Sequence, residues 1–447
     1  MTKLRFAPSP TGYLHLGNIR TALINWLYAR STGGHFILRL DDTDIQRSEK
    51  RFADQIEEDL SWLGLTYEEK VKQSDHLPHY DKAVAFLKAR GRLYPCFETQ
   101  EELEFQRKIQ LSAGKPPLYN RAALSLTPTQ IEKYKDDGLK PHWRFKMEKG
   151  EIRWSDMVRG EVVFQGELLS DPVLIREDGT PVYALATSVD DLEMEITHII
   201  RGEDHVTNTA IQIQIMEALS GAPNKITFGH LALISGGKGE GLSKREGSLS
   251  VFDLQKEGLE PMAVNSLLAK LGTSDSIAPH TSLEGVLKEF DIHKFGRSTP
   301  KLHTDDLWQI NVKILQMLSF DQVISRFENQ GLTGTTPEFW ALVQKNIIKF
   351  HDVKEWWTIC YGHKTFSEGN ILLLEAAERF LPPEPWDEAT FKTWMDQVKE
   401  ETGFKGKDLF MPIRRALTGQ DHGPELKELI LLMGRPKILH QLQTARA

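Results

Sequence analysis

The chain has 447 residues, of which 40% are hydrophobic and 26% charged, and its formal net charge is −8 at pH 7. This composition is typical of a soluble globular protein, and it excludes a disordered chain and a membrane-spanning one. At roughly 100–200 residues per domain, the length predicts two to four domains. The first residues lack the apolar core of a signal peptide, so we expect a cytoplasmic protein. Taken at face value, the acidic balance argues against a nucleic-acid partner.

The N-terminal part alternates strand and helix. Residues 3–7 form a short apolar run that Pro8 stops, and helical spacing begins at Asn18. Residues 36–40 form a near-continuous apolar run, as expected of a strand covered on both faces, and an amphipathic helix then ends at Gly64. This alternation predicts an α/β domain with a parallel sheet.

Residues 82–184 have a different character and mix short strands with helices, which indicates a domain inserted into the sheet. Residues 185–236 resume the α/β pattern, with 225–235 as one more buried strand. Beyond about residue 290 the strand signals fade. Helices are predicted there at 307–318, 321–329, 337–350, 368–380 and 424–433.

Residues 8–18 connect the first strand to the first helix through a loop with two glycines. Backbone N–H groups at a helix start favour phosphate, and Gly17 next to His15 would let the backbone approach a triphosphate. An ordinary helix-start loop with an incidental histidine is the alternative.

Residues 241–247 form a second glycine-rich loop, with Ser243, Lys244 and Arg245, that could neutralise a pyrophosphate leaving group. A basic surface loop is the alternative there.

Acidic residues follow the second strand, where ligands bind in open α/β sheets. Asp41, Asp42 and Asp44 could hold an amino group, a ribose hydroxyl or a metal ion, or they could form a solvated turn with a helix-capping aspartate. Arg5 lies within the otherwise apolar first strand and needs a partner. A substrate carboxylate and a structural ion pair suit it equally well.

Together these motifs resemble those of the bacterial glutamyl-tRNA synthetases, which are class I aminoacyl-tRNA synthetases. The resemblance is carried by residues 6–17, by Arg39 to Asp44 and by Leu242 to Arg245, in that order. Residues 15–18 stand where the class has its HIGH signature, and 242–245 where it has KMSKS. Residues 183–191, 200–204 and 407–419 also match, so the resemblance runs essentially the full length.

The resemblance implies a fold and a division into domains. It implies a Rossmann-type catalytic domain at 1–81 and 185–236, with an inserted α+β domain at 82–184 that binds the acceptor stem. A stem-contact domain at 237–315 and an all-α anticodon-binding region at 316–447 follow.

The resemblance also implies the site residues and partners. L-Glutamate would be bound by Arg5, Ala7, Ser9, Asp41, Tyr183, Thr187 and Arg201, with Arg201 facing the side-chain carboxylate and Asp41 near the amino group. ATP would be bound by Ser9, His15, Gly17, Asn18, Ser243, Lys244 and Arg245, with His15, Gly17 and Lys244 as catalytic residues and Mg²⁺ as cofactor. tRNA would contact Asp44, Arg47, Arg414 and Arg415. The expected enzyme is a glutamate–tRNA ligase that acts as a monomer and has no membrane partner.

Some positions depart from the family pattern. Many members have glutamate at the position of Asp41 and asparagine at that of Thr187, and Gly241 replaces the first lysine of KMSKS. Some members bind zinc in the insertion through paired cysteines. Here Cys96 has no second cysteine nearby, and residues 119–123 offer no ligand pair, so no structural zinc is expected.

One rival is a paralogue of the same fold that charges a modified tRNA base or a different amino acid, and the long C-terminal region argues against the base-modifying versions, which lack it. Three further alternatives stay open, namely a glutaminyl-tRNA synthetase, a non-catalytic tRNA-binding paralogue and a small-molecule nucleotidylyltransferase of the same superfamily. The helical C-terminal region disfavours the first, because glutaminyl enzymes have β-barrels there. The intact signatures disfavour the second, and the long helical region has no purpose in the third. The net charge of the whole chain does not exclude an RNA partner, because basic residues cluster in the nearly neutral C-terminal part, namely Lys405, Lys407, Arg414 and Arg415. Whether the tRNA is that for glutamate, for glutamine or both is left open.

Overall fold

The computed structural model describes residues 1–44, 46–236, 250–366 and 370–446. The chain forms two compact units. The first comprises Met1–Lys256, Val264–Ala278 and Ser282–Thr304, and the second comprises Glu257–Ala263, Pro279–Thr281 and Asp305–Ala447. No helix among the described residues is long and apolar enough to cross a lipid bilayer.

The strands all precede residue 303. They are β1 Lys3–Phe6, β2 His35–Leu40, β3 Glu69–Lys72, β4 Leu93–Cys96, β5 His142–Phe145, β6 Glu151–Asp156, β7 Gly160–Gln165, β8 Val173–Ile175, β9 His198–Gly202, β10 Thr227–Leu231, β11 Ser235–Gly236 and β12 Lys301–Leu302.

Helices occur throughout. Before residue 300 they are α1 Leu16–Ser31, α2 Lys50–Leu63, α3 Leu77–Ala89, α4 Gln100–Ser112, α5 Pro128–Asp136, α6 Tyr183–Glu193, α7 Val206–Ser220, α8 Val251–Lys256, α9 Pro261–Lys270 and α10 Leu283–Lys288. After it they are α11 Thr304–Met317, α12 Phe320–Asn329, α13 Pro337–Val343, α14 Val353–Tyr361, α15 Ile371–Arg379, α16 Thr390–Thr402, α17 Lys407–Thr418, α18 Leu426–Met433 and α19 Arg435–Thr444.

Strands β1, β2 and β3 form a parallel sheet with β2 in the middle, and Lys3 lies opposite His35. Every residue of β2 after His35 is buried, as expected of a strand covered on both faces. Helix α1 forms where the spacing predicted a helix, and every residue from Ala22 to Leu27 is buried. Gly64 ends α2 in the left-handed conformation, as predicted.

A second sheet has the order β7-β6-β10-β9, in which β9, β10 and β6 run parallel and β7 is antiparallel. The sheet is therefore mixed, because the β6–β7 hairpin from the predicted insertion joins it at one edge. At the other edge, the backbone N–H of Thr197 donates to Lys3 O at 3.0 Å, so that β9 begins beside β1. A third, antiparallel sheet has the order β4-β5-β8. These features confirm the predicted α/β catalytic fold.

The second unit is helical from residue 305 onward, as predicted. Its core includes the fully buried side chains of Phe327, Phe339 and Trp394. Helix α13 ends at Val343, so the predicted helix at 337–350 is too long. Helices α14, α16, α17 and α19 were not predicted. Helix α14 buries Val353, Trp356 and Ile359 although β-branched and aromatic residues have only moderate helix propensity. Tertiary packing rather than propensity therefore accounts for this helix.

Candidate active site

A cavity of about 420 Å³ lies in the first unit, beyond the carboxyl ends of β1, β9 and β10 and beside the start of α1. In an open α/β sheet this is the edge at which ligands bind. Seven of the predicted site residues line the cavity, namely Arg5, Ala7, His15, Gly17, Asn18, Tyr183 and Arg201. The loop after β1, the start of α1, Tyr183 and the end of β9 thus meet at one place.

His15 is the residue that caps α1. Its Nδ1 accepts hydrogen bonds from the backbone N–H groups of Gly17 at 3.1 Å and Asn18 at 3.4 Å, and Asn18 Oδ1 accepts one from the His15 backbone N–H. Because Nδ1 is an acceptor, the ring hydrogen belongs on Nε2. Burial lowers the pKa of His15, which favours this neutral form. The imidazole can therefore donate from Nε2 to a phosphate oxygen.

Gly17 makes this capping arrangement possible. A Cβ atom at this position would lie 3.0 Å from both Cε1 and Nδ1 of His15. The sequence argument attributed the glycine to the close approach of a phosphate. The structure adds a second reason, which is room for the imidazole ring that caps the helix.

Arg201, at the end of β9, is a buried cation without a carboxylate. Its Nη1 donates to the Tyr183 hydroxyl at 3.1 Å, and its Nη2 donates to Thr209 Oγ1 at 2.5 Å and to Gln212 Oε1 at 2.7 Å. Within the described part of the chain no carboxylate lies within 4.0 Å of it. Burial lowers the pKa of Arg201, because it removes the guanidinium from water. Such a group is suited to receive an anionic ligand.

Arg5 takes part in a buried ion-pair network as well as lining the cavity. Its Nε lies 3.0 Å from Oδ1 of Asp191, and Nη1 of Arg39 lies 2.7 Å from the same oxygen. Arg39 Nε also lies 2.8 Å from Oδ1 of Asp41. Burial opposes ionisation of Asp191, but the charges of Arg5 and Arg39 outweigh it and lower the pKa of that carboxyl. The ion pair that the sequence left open for Arg5 is thus present.

The acidic run after β2 does not converge on a single point. Asp41 binds Arg39, Asp42 accepts from the Ser74 backbone N–H and hydroxyl at 2.8 Å each, and Asp44 pairs with Arg47 at 2.6 Å. Burial raises the pKa of Asp41 to about 6 in spite of Arg39. The three carboxylates do not gather into a potential metal site in the part of the chain that the structure describes.

Three predicted glutamate-binding residues lie outside the cavity lining. Asp41 is buried in the network just described, and Ser9 is exposed on the loop. Thr187 is fully buried, and its Oγ1 has no hydrogen-bond partner among the described residues.

The structure also places residues at the site that the motifs did not indicate. Arg20, one turn into α1, lines the cavity and donates to the backbone oxygens of Ala232 at 2.7 Å and Leu271 at 3.0 Å. Burial lowers its pKa to about 10. His205 also lines the cavity, although the sequence gave it no role. Its position just after β9, close to Arg201, is the signal that could have indicated it.

The KMSKS-like residues Gly241, Ser243, Lys244 and Arg245 lie outside the described residues. The chain just beyond them, however, contacts the loop before α1. The backbone N–H of Val251 donates to Leu14 O at 2.9 Å, and Ser250 forms an antiparallel bridge with His15. The rings of Tyr13 and Phe252 stack with centroids 4.9 Å apart. The segment that begins at Ser250 therefore adjoins the loop before α1.

The residues predicted to contact tRNA have partners within the chain. Exposed Arg47 pairs with Asp44. In the second unit Arg415 is exposed and pairs with Asp421, and Arg414 Nη2 donates to Pro424 O at 2.9 Å. Of these, Arg47 and Arg415 are the ones whose exposed side chains could reach a phosphate backbone.

Cys96 has potential ligand neighbours that its sequence position did not reveal. A thiol, a carboxylate and an imidazole, from Cys96, Glu98 and His142, lie within 4.8 Å of one another. Glu98 Oε2 and His142 Nε2 are buried without a hydrogen-bond partner, and both residues line a second cavity of about 420 Å³. Cys96 therefore has potential metal-ligand neighbours, contrary to expectation, because strand pairing sets it opposite His142.

The cluster nevertheless does not fit a structural zinc ion. Structural zinc sites have four ligands and mostly several thiolates. Here there is one thiol, whose pKa burial raises to about 12, and the nearby Tyr119 hydroxyl already donates to Glu98 at 2.5 Å. We therefore still predict no structural zinc, now because the cluster has too few suitable ligands rather than because Cys96 stands alone.

Comparison with known proteins identifies relatives of both units. Residues 1–309 match the family described as tRNA synthetases class I (E and Q), catalytic domain. Residues 358–446 match the family described as Anticodon binding domain. A glutamate–tRNA ligase of Azospirillum brasilense is 51% identical over 97% of this chain and 96% of its own length. Glutamate–tRNA ligase 1 of Maricaulis maris is 47% identical over 99% of both chains.

Solved structures give the same result. The crystal structure of a glutamate tRNA ligase from Elizabethkingia meningosepticum, in complex with its amino acid, has a TM-score of 0.81 at 26% identity over 99% of both chains. Glutamate-tRNA synthetase from Elizabethkingia anophelis has a TM-score of 0.79 at 26% identity.

Proposed function

Because this chain belongs to the class I glutamate–tRNA ligases, we propose that the cavity beside α1 is where it activates L-glutamate with ATP. Relatives named for glutamate cover the chain end to end, which disfavours a glutaminyl enzyme. His15 lies at the cavity, which disfavours a non-catalytic paralogue. The helical second unit disfavours a small-molecule nucleotidylyltransferase, which has no use for it.

The observation that carries this proposal is the burial of the Arg201 guanidinium beside the cavity. Among the described residues this guanidinium is buried, donates to neutral oxygens and lies beside a cavity, so it can pair with an incoming carboxylate. The side-chain carboxylate of glutamate provides that charge, whereas the amide of glutamine does not. Arg5, Ala7, Ser9, Asp41, Tyr183 and Thr187 are proposed as the rest of the glutamate site.

ATP is proposed to bind over the start of α1. His15 Nε2 can donate to a phosphate oxygen at the positive end of the α1 dipole, and Asn18 is proposed to lie beside the nucleotide. The glutamate α-carboxylate attacks the α-phosphate, giving glutamyl-adenylate and pyrophosphate. Ser243, Lys244 and Arg245 are proposed to neutralise the departing pyrophosphate, with Mg²⁺ bound to the nucleotide. No protein nucleophile is needed, so the protein acts by positioning its substrates and stabilising charge.

In the second step the 2′-hydroxyl of the terminal adenosine of tRNA attacks the activated carbonyl and releases AMP. We propose Asp44 and Arg47 as contacts of that adenosine. Arg414 and Arg415 are proposed as contacts in the anticodon-binding unit. We further propose the domain limits given above, a cytoplasmic location and a monomeric enzyme.

We propose tRNA(Glu) as the substrate, with tRNA(Gln) as a further or alternative substrate to be tested. The test is aminoacylation of the two purified tRNAs side by side with labelled glutamate. Charging of tRNA(Glu) supports the proposal, and charging of tRNA(Gln) as well defines a non-discriminating enzyme. Charging of neither tRNA would contradict the proposed function.

The glutamate site is tested by Arg201→Ala, with Arg30→Ala as the matched control. Arg30 is an arginine of the same unit that pairs with Glu68 outside the cavity. We expect Arg201→Ala to raise the KM for glutamate at least tenfold and to reduce the preference for glutamate over glutamine, with the KM for ATP little changed. An equal loss for ATP would contradict the assignment of this pocket.

A further inference from the structure

A chain of three buried side chains begins at Arg201 Nη2, whereas the Tyr183 hydroxyl is bound by Nη1. Thr209 Oγ1 is 2.5 Å from Arg201 Nη2 and 2.9 Å from His230 Nε2. His230 Nδ1 is in turn 2.5 Å from Asp156 Oδ2. Thr209, His230 and Asp156 are all buried, and none of them lines the cavity.

The sheet sets the geometry of this chain. His230 on β10 lies opposite Arg201 on the neighbouring strand β9. Asp156 ends β6, the strand on the other side of β10, and Thr209 comes from the first turn of α7. Three adjacent strands and one helix thus converge on the guanidinium, so the arrangement is fixed by backbone pairing.

Asp156 is held as a carboxylate. Its Oδ1 accepts from the backbone N–H groups of Val158 and Arg159 at 3.0 Å and of His230 at 3.1 Å, and its Oδ2 accepts from Trp154 Nε1 at 3.3 Å. Burial opposes this charge, but the hydrogen bonds outweigh it and lower the pKa of Asp156 to about 2.

The carboxylate determines where the hydrogens lie. Since Asp156 can only accept, the hydrogen of neutral His230 lies on Nδ1 and leaves Nε2 as an acceptor. Thr209 donates its single hydroxyl hydrogen to that Nε2, and its oxygen is then free to accept from Arg201 Nη2. Among the described residues the one competing acceptor for this hydrogen, His205 O, is farther away at 3.3 Å. Each hydrogen bond of the chain is therefore donated in the same direction, by Arg201 to Thr209, by Thr209 to His230, and by His230 to Asp156.

We propose that Thr209, His230 and Asp156 are positioning residues for Arg201 and thereby set the affinity for glutamate and its discrimination from glutamine. This inference rests on the proposed role of Arg201 as the partner of the glutamate side chain. The three residues, here called the Arg201 relay, supply a remote negative charge without an ion pair. They fix the plane of the guanidinium and leave its charge available to the ligand.

The test compares Thr209→Val, which keeps the shape and removes the hydroxyl, with Thr209→Ser, which restores it. Thr418→Val is the matched control, because Thr418 is a fully buried threonine of the second unit whose hydroxyl donates to Arg414 O. Steady-state kinetics gives KM and kcat for glutamate and KM for ATP with saturating tRNA, and glutamine is assayed as the competitor. Circular dichroism and thermal unfolding establish that each variant is folded.

We expect Thr209→Val to raise the glutamate KM about tenfold and to lower the glutamate-over-glutamine ratio, with kcat and the ATP KM within about twofold. Thr209→Ser should return the glutamate KM to within about threefold of the unchanged enzyme, and Thr418→Val should leave it unaltered. In an Arg201→Ala background Thr209→Val should add nothing, because the relay acts through that arginine. If Thr209→Val does not fold, Asp156→Asn takes its place with the same expected pattern.

A folded Thr209→Val enzyme with an unchanged glutamate KM would overturn the relay. The same holds if its effect is undiminished in the Arg201→Ala background. Should Arg201→Ala itself leave the glutamate KM unchanged, the proposed role of Arg201 fails, and the relay fails with it. The single variant Arg201→Ala therefore distinguishes the two failures.

Discussion

Asp191 Oδ1, on helix α6, lies 2.7 Å from Nη1 of Arg39 on strand β2. The same oxygen accepts from Arg5 on β1. One carboxylate therefore joins two neighbouring strands of the parallel sheet to the helix that begins with Tyr183.

We expect Asp191→Asn to destabilise the first unit by roughly 3 kcal/mol, because removing one partner leaves buried arginines undercompensated. Urea unfolding followed by fluorescence measures this loss. Asp54→Asn is the control, since Asp54 pairs with Lys50 on the exposed face of α2 and should have little effect. Equal stability of the two variants would show that Asp191 is not a structural centre of the sheet.

Gly17→Ala should reduce the rate of glutamate activation about tenfold or more, because the new Cβ displaces the His15 ring that caps α1. Gly296→Ala is the matched substitution, since its Cβ would meet only Gly272 O at 3.6 Å. ATP–pyrophosphate exchange in the presence of tRNA gives the rate. A Gly17→Ala enzyme with an unchanged activation rate would show that the capping geometry of His15 is not needed for catalysis.

Lys244→Ala should lower the activation rate well over tenfold while the protein remains folded, because a lysine that neutralises departing pyrophosphate acts mainly in the transition state. The same exchange assay applies, with circular dichroism as the check on folding. An unchanged rate would remove Lys244 from the mechanism.

The KM for glutamate should rise as the pH falls from 7 to 5. Burial raises the pKa of Asp41 to about 6, so this carboxylate is charged above that pH and becomes neutral below it. A neutral Asp41 cannot attract the substrate amino group. An aspartate with the ordinary pKa near 3.9 would show no change in this range. Asp41→Asn should have a high KM that no longer varies with pH, and a pH-dependent KM in this variant would assign the effect to another group.

Chelation should leave the protein intact. Because Cys96, Glu98 and His142 provide only one thiol and fall short of four ligands, we expect no stoichiometric zinc and no change in Tm after dialysis against EDTA. Elemental analysis and calorimetry measure both quantities. One zinc per chain, with a fall in Tm that added zinc reverses and Cys96→Ser abolishes, would assign an ion to this cluster.

Local signals predicted the elements that carry the signatures. The stops at Pro8 and Gly64 and the apolar run of β2 correctly placed the first two strands and helices. Contacts that depend on the register of distant strands could not be predicted. His142 becomes a neighbour of Cys96 only through the antiparallel pairing of β4 and β5. Likewise, the ion pair between Arg5 and Asp191 spans 186 positions, and no spacing rule connects the two.

The stacking of Tyr13 on Phe252 has an evolutionary consequence. These rings lie on segments more than two hundred residues apart in the chain, and the hydrogen bond between Val251 and Leu14 lies beside them. A change of ring size at either position would disturb both segments at once. Substitutions at 13 and 252 should therefore arise in pairs among descendants of this enzyme.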